Sequence, residues 1–195
     1  MRVKTPIKIA VFASGSGTNA NRIFEHFKDR SDINVALLLS NNPEAYALKR
    51  AELFEIPTRV FTKKEFKDSD TIINELKNAG IHWIVLAGFL WMVPENLIQA
   101  FPATILNIHP ALLPDFGGKG MYGMNVHTAV KESGVEKSGI TIHKVNEEYD
   151  KGEIVFQDSF KIFPEDTPET IAQKVHELEY QHFPRIIEEQ IKKSL

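Results

Sequence analysis

Short apolar runs that stop at glycine or polar turns, each followed by apolar residues at helical spacing, recur through the first half of this chain and leave it few folds. The run 7–13 stops at Ser14-Gly15-Ser16-Gly17-Thr18-Asn19, after which Ala20, Ile23, Phe24 and Phe27 recur with helical spacing. The unit then repeats, with a buried strand over 35–39 and a helix marked by Ala47, Ala51 and Phe54. A third strand is expected over 58–61, then a helix face of Ile72, Ile73, Leu76 and Ala79 closed by Gly80, then a fourth strand over 83–87. Pro94 opens a short helix through Leu97, Ile98 and Phe101, and 104–108 makes a fifth strand. Such alternation predicts an α/β fold, a mostly parallel twisted sheet with helices on both faces, whose ligands bind beyond the carboxyl ends of the strands.

The pattern changes in the second half. Val126, Ala129 and Val130 mark a helix ended by Gly134, and two extended runs, 139–145 and 153–163, read as a hairpin. Its connection, 146–152, contains Glu147, Glu148 and the turn-forming Asp150-Lys151-Gly152. A long C-terminal helix should follow, capped by Thr167 with Pro168 at its first position and buried along Ile171, Val175 and Leu178; Pro184 should kink or divide it. At 195 residues, with no linker, the expectation is a single domain over 1–195.

Composition narrows the partners. Acids and bases are mixed along the chain to a net charge of −3, which gives no footprint for tracking a phosphate backbone, so small molecules suit better than nucleic acid. The absence of cysteine removes disulfides, thiolate nucleophiles and Cys-based zinc sites, and is compatible with the cytoplasmic location expected here. Arg2 and Lys4 precede the first strand, but no cleavage pattern follows them and no run is long enough to span a bilayer. A monomer or a homodimer is expected.

Two loops at strand ends carry the candidate chemistry. Gly15-Ser16-Gly17-Thr18-Asn19-Ala20 fits the loose G-x-G-x-x-A pattern between a strand and a helix, where backbone N–H groups and the helix dipole favour an anion. A dinucleotide would want an acid near the end of the second strand, and this chain offers Ser40-Asn41-Asn42, so a single phosphate group fits better; the bland alternative is a tight structural turn. The second loop follows Leu106-Asn107-Ile108-His109-Pro110-Ala111-Leu112-Leu113-Pro114. Asn107 and His109 stand two apart on a strand and project to one side, so they can act on one atom. A mobile run follows them, in which four of the eight residues 116–123 are glycine. His143 is either a core histidine or part of a site, and Asp150 on spacing alone is an ordinary turn acid. Two histidines and an aspartate raise the question of zinc, but no H-E-x-x-H or comparable ligand spacing exists, so no metal is expected. No G-x-S-x-G elbow is present for a serine nucleophile either.

Ser14-Gly15-Ser16-Gly17-Thr18-Asn19, Asn107-Ile108-His109-Pro110-Ala111-Leu112-Leu113-Pro114 and Asp150-Lys151-Gly152 follow one another in an order that resembles the phosphoribosylglycinamide formyltransferase family, the folate-dependent formyltransferases of purine synthesis. The resemblance runs from the first glycine turn to Glu179. It implies a Rossmann-like formyltransferase fold, with the ribonucleotide phosphate in an N-terminal half of about 1–100 and catalysis and the folate cleft in a C-terminal half of about 101–195. It also implies transfer of the formyl group of 10-formyltetrahydrofolate to the amine of glycinamide ribonucleotide through a tetrahedral intermediate. By motif, Gly17, Thr18 and Asn19 would hold the phosphate end, Glu179 would lie near the glycinamide, and Leu90, Met92 and Val93 would line the pterin pocket. Asn107, His109 and Asp150 would be catalytic, with a protonated His109 and the Asn107 amide donating to the developing oxyanion. The run 116–123 would close as a lid. Trp91 stands where many members carry a basic residue, and 117–124 departs from the usual Pro-Gly-x-His form.

Relatives in the same resemblance are distinguished by their extra parts. Methionyl-tRNA formyltransferases carry a further C-terminal domain and a basic surface, and formyltetrahydrofolate hydrolases an N-terminal regulatory domain, whereas this chain enters its first strand by about Ile7. From other classes, a dinucleotide oxidoreductase using Gly15, Gly17 and Ala20 lacks its acid, and a silent binding module would use Asn107 and His109 only to cap a strand.

Overall fold

The computed structural model describes residues 5–195, so Arg2 and Lys4 lie outside the described residues. The chain divides into two compact units, Met1–Leu106 and Asn107–Leu195.

In the first unit the expected alternation is present: β1 (Ile7–Phe12), α1 (Thr18–Phe27), β2 (Ile33–Ser40), α2 (Tyr46–Leu53), β3 (Thr58–Val60), α3 (Lys63–Lys67), α4 (Thr71–Asn78), β4 (Trp83–Leu86) and α5 (Glu95–Ala100). β1 pairs in parallel with β2 on one side and β4 on the other, and β2 pairs in parallel with β3. Ile9, Ala10, Val11 and Phe12 are each 0% exposed, so both faces of β1 are covered, which is why its sequence is a continuous apolar run instead of an alternating one. The α3 helix is not foreseen by apolar spacing. Its signal is Thr62-x-x-Glu65, a capping box in which the Thr62 hydroxyl accepts the Glu65 N–H and the Glu65 carboxylate accepts the Thr62 N–H. Arg59 then ties β3 to the helices after it, reaching Glu65 at 2.6 Å and Glu75 at 3.0 Å.

β5 (Ile105–His109) carries the chain into the second unit, which contains α6 (Met124–Ser133), β6 (Lys137–Lys144), β7 (Ile154–Lys161) and α7 (Pro168–Lys193). β6 and β7 form the expected antiparallel hairpin. The β6 strand is buried over Ser138–His143, whereas β7 mixes exposed with half-buried residues, so one strand of the pair carries the core. The long helix α7 starts as expected, with Thr167 accepting the Thr170 N–H and Pro168 in the first turn. Of the two outcomes expected at Pro184, division does not occur: α7 runs on to Lys193 around this buried ring. Leu178 is only half-buried, and Glu179 takes a place on the buried face instead. A carboxylate is almost never fully buried unless it is paired, which marks Glu179 as part of something other than core.

Candidate active site

Four polar side chains of the second unit converge. Asn107 and His109 come from β5, two residues apart on one side as strand geometry requires; His143 comes from β6 and Asp150 from the hairpin connection. The Asn107 amide nitrogen lies 3.0 Å from His143 Nε2. His109 Nδ1 lies 3.7 Å from one Asp150 oxygen, and His143 Nε2 lies 3.6 Å from the other. The approach of Asp150 to His109, invisible to spacing, is therefore a fact of the fold.

Backbone carbonyls select the tautomers, because a carbonyl oxygen only accepts. His143 Nδ1 sits 3.1 Å from the Lys144 carbonyl and so carries hydrogen. With the hydrogen on Nδ1, the lone pair at Nε2 faces an Asn107 N–H, which fixes which way the amide faces and occupies one of its two N–H groups. His109 Nε2 lies 2.8 Å from the Phe116 carbonyl, so the hydrogen is on Nε2 and Nδ1 looks toward Asp150. His109 is 3% exposed. Burial pushes its imidazolium below the ordinary value, and this outweighs the opposite pull of the Asp150 charge and the Phe116 carbonyl. Burial thus favours the neutral form of the resting ring near pH 7, so the protonated form expected at the oxyanion is not the resting one. Burial works to raise the Asp150 carboxyl, but hydrogen bonding, with the Gly118 N–H that it accepts at 2.9 Å, outweighs this and holds it below its ordinary value. The site rests as a carboxylate beside a neutral imidazole.

The loop after β5 is fastened where it leaves the strand. The Thr141 hydroxyl donates to the Ala111 carbonyl at 2.7 Å and accepts the Leu113 N–H at 2.9 Å, while Gln157 donates to the Leu113 carbonyl at 2.9 Å. Beyond that anchor Phe116 and Gly118 tie the loop to the site, through His109 and Asp150. A Cβ on Gly117 would stand 2.6 Å from Leu113 and 3.3 Å from the Asp150 Cβ, and one on Gly152 would stand 1.6 Å from the Lys144 carbonyl oxygen. These two glycines let the loop and the hairpin connection close on Asp150, itself held at φ +52°.

Glu179, 4% exposed on α7, accepts His176 Nδ1–H at 2.8 Å, and this bond raises the His176 imidazolium above its ordinary value. Its charge also reaches His109 and the buried His127. Spacing gave His176 no special context; the signal was the pair His176-x-x-Glu179, three apart on a helix and therefore neighbours. His143 had a similar signal in Thr141-x-His143, two polar residues on one side of an otherwise apolar strand.

In the first unit the glycine turn is held from behind by α2. The Ala47 N–H donates to the Gly15 carbonyl at 3.1 Å and Arg50 Nε to the Ser16 carbonyl at 2.9 Å. With the carbonyls drawn back, Gly17 at φ +70° caps α1, and Thr18 and Asn19 fall in the first turn, whose N–H groups have no acceptor within the helix. Gly17→Ala should destabilise the protein by about 1–3 kcal/mol, since the new Cβ would combine a left-handed φ with a 2.5 Å approach to the Ala47 Cβ. Gly15→Ala, with nothing within 4 Å of its Cβ, should be near neutral, and paired urea denaturation curves check the contrast.

The stretch after β4 places Val93 in the core at 5% exposure, Met92 half-buried and Leu90 outward at 50%. Trp91 turns inward to Phe61 and Phe66, with ring centroids 6.0 Å away in each case, so it is a packing residue of this unit. Among the described residues no group of three or more His, Cys, Asp or Glu could hold a metal ion, and no helix is long and apolar enough to cross a membrane.

Residues 7–187 match the formyl transferase family model. Over 195 residues the chain is 45% identical to a chloroplastic phosphoribosylglycinamide formyltransferase of Arabidopsis thaliana, covering 95% of this chain and 67% of that one. It is 37% identical to the phosphoribosylglycinamide formyltransferase of Bacillus subtilis, covering 93% of each. Among solved structures, that of the phosphoribosylglycinamide formyltransferase from Bacillus halodurans superimposes with a TM-score of 0.86 at 33% identity, covering 96% of this chain and 97% of that one.

Proposed function

The chain belongs to the formyl transferase family, and from that premise we propose that it transfers the formyl group of 10-formyltetrahydrofolate to the amine of glycinamide ribonucleotide, the two halves of 1–195 serving one activity. The observation that carries this reading is the convergence of Asn107, His109 and Asp150 in the second unit, with the His109 Nε2–H already donating to a carbonyl oxygen. A formyl oxygen is chemically the same kind of acceptor as the Phe116 carbonyl, which supports the reading that the same N–H receives it.

The reaction needs a neutral amine to attack the formyl carbon, a place for the negative charge on oxygen, and a route for one proton from the amine to the departing folate nitrogen. In this reading the formyl oxygen takes the place of the Phe116 carbonyl at His109 Nε2–H and receives the second N–H of Asn107. Asp150, a carboxylate at rest, accepts the proton released as the C–N bond forms. His109 Nδ1 faces that carboxylate, so the proton can be shared with the ring just as the oxygen becomes negative, strengthening the Nε2–H donor when it is needed. Collapse of the intermediate returns the C=O bond, breaks the bond to the folate nitrogen and delivers the proton there. No covalent enzyme intermediate is required. Release of the Phe116 carbonyl from His109 is also the movement by which the run 116–123 would act as a lid.

Gly17, Thr18 and Asn19 would take the ribose phosphate, Glu179 would lie near the glycinamide, and Leu90, Met92 and Val93 would line the pterin pocket. The deciding experiment incubates purified protein with both substrates and follows formylated ribonucleotide by mass. Formation of that product together with tetrahydrofolate in equal amounts is expected. Release of free formate instead, or no turnover at all, would defeat the assignment.

A further inference from the structure

By sequence Ser14 belongs to the glycine turn, yet we infer that its hydroxyl is a positioning group for the formyl donor and not for the phosphate. This rests on the reading above that Leu90, Met92 and Val93 line the pterin pocket. Ser14 is 7% exposed, and its three polar groups reach out to two different strand ends. Its N–H donates to the Gly88 carbonyl at 3.0 Å, its Oγ accepts the Leu90 N–H at 3.0 Å, and its carbonyl accepts an N–H of Asn42 at 3.2 Å. The first two bonds bracket the turn by which the chain leaves β4, where Gly88 stands at φ +74°.

The donor segment has three anchors of two kinds. Phe89 and Trp91 point inward to one aromatic cluster: Phe89 lies 5.4 Å from both Phe12 and Phe66 between ring centroids, and Trp91 lies 6.0 Å from Phe61 and Phe66. Between them Leu90 faces outward, and the hydrogen bond from its N–H to Ser14 Oγ is what sets the backbone at that point. Ring packing leaves a peptide plane some freedom to tilt; a hydrogen bond to a buried hydroxyl does not.

The glycine turn is held by other means. Gly15 and Ser16 hand their carbonyls to Ala47 and Arg50 of α2, and neither bond involves the Ser14 hydroxyl. Adjacent residues of one motif thus answer to different partners, and the two functions are separable by substitution.

The test is a crossed kinetic comparison in the full-length protein. Ser14→Ala removes the Oγ acceptor and leaves the backbone bonds of residue 14. It should raise the KM for 10-formyltetrahydrofolate, and the Kd for tetrahydrofolate measured by calorimetry, by about 5- to 10-fold, the size of effect that goes with one lost hydrogen bond. The KM for glycinamide ribonucleotide and kcat should stay within about twofold. Arg50→Ala should do the reverse, raising the ribonucleotide KM and sparing the donor KM. Equal changes in both KM values for Ser14→Ala, or no change in either, would overturn the inference, as would an Arg50→Ala effect confined to the donor. Wild-type protein that binds no tetrahydrofolate would instead defeat the underlying reading of the pocket, and this inference with it.

Discussion

Asp150→Asn is expected to lower kcat by about two to four orders of magnitude, the range associated with losing a positioned acid–base group, while leaving the fold intact. The substitution isolates charge. Asn tolerates the left-handed backbone at position 150, where φ is +52°, and its amide oxygen can still accept the Gly118 N–H. What disappears is the carboxylate that faces His109 at 3.7 Å and His143 at 3.6 Å. Titration supplies a check that does not depend on residual activity. Because burial already depresses the His109 imidazolium and Asp150 opposes that depression, removing the carboxylate must lower its pKa further. In wild-type protein the ring should protonate only below its ordinary value of about 6.5, so kcat is level near neutrality and falls as the pH drops through the folded pKa. A depressed histidine also means that the unfolded chain binds more protons, so its contribution to stability is full above about pH 6.5 and is lost on acidification. An NMR titration of the His109 ring, wild type against Asp150→Asn, should show a downward shift. A variant that keeps a tenth or more of wild-type kcat, or a ring that titrates upward, would remove Asp150 from the proposed proton route.

How much of this was legible without coordinates depended on whether a residue acts through its own strand or through a distant partner. The strands of the first unit could be read because β1 is buried on both faces and must be apolar throughout, and the turn at 14–19 because glycine is forced at position 17 by the approach of Ala47. Asn107 and His109 could be paired because strand alternation alone puts them on one side. Asp150 could not be paired by spacing: its place depends on Gly117 and Gly152, which read only as loop and turn glycines, yet allow the loop and the hairpin connection to meet at the carboxylate. The charge balance at His109 is hidden from the sequence for a related reason. A nearby carboxylate argues for an imidazolium, and only the depth of burial, which no local pattern encodes, reverses the balance. Helix α3 shows no apolar period because five residues hold too few apolar positions, and the capping box is its available sign. On local grounds Pro184 should kink or divide α7, whereas its ring is buried with Phe183, Ile186 and Ile187 and the helix continues past it, so packing prevents division there.

His109→Ala and Asn107→Ala should each lower kcat by about 10²- to 10³-fold, the effect typical of deleting one preorganised oxyanion donor, with little change in the KM for glycinamide ribonucleotide. The two differ in what they disturb. Asn107→Ala leaves His143 Nε2 without the amide N–H it accepts at 3.0 Å, but the bond from His143 Nδ1–H to the Lys144 carbonyl still fixes that ring. His109→Ala frees the Phe116 carbonyl, while the Gly118 N–H still ties the loop to Asp150, so the loop should loosen at one point only. If both side chains serve a single oxygen, their contributions are not independent. Once one donor is gone the oxyanion is held off its best position, and the second donor has less to lose. The double variant should therefore fall short of the product of the single effects, as groups acting as a unit do. Single-turnover measurement of formyl transfer for the four proteins of this cycle decides the matter. Strict multiplication of the two losses would mean that Asn107 and His109 act on different atoms, and near-normal turnover for His109→Ala would mean that the ring does no more than fasten the loop through Phe116.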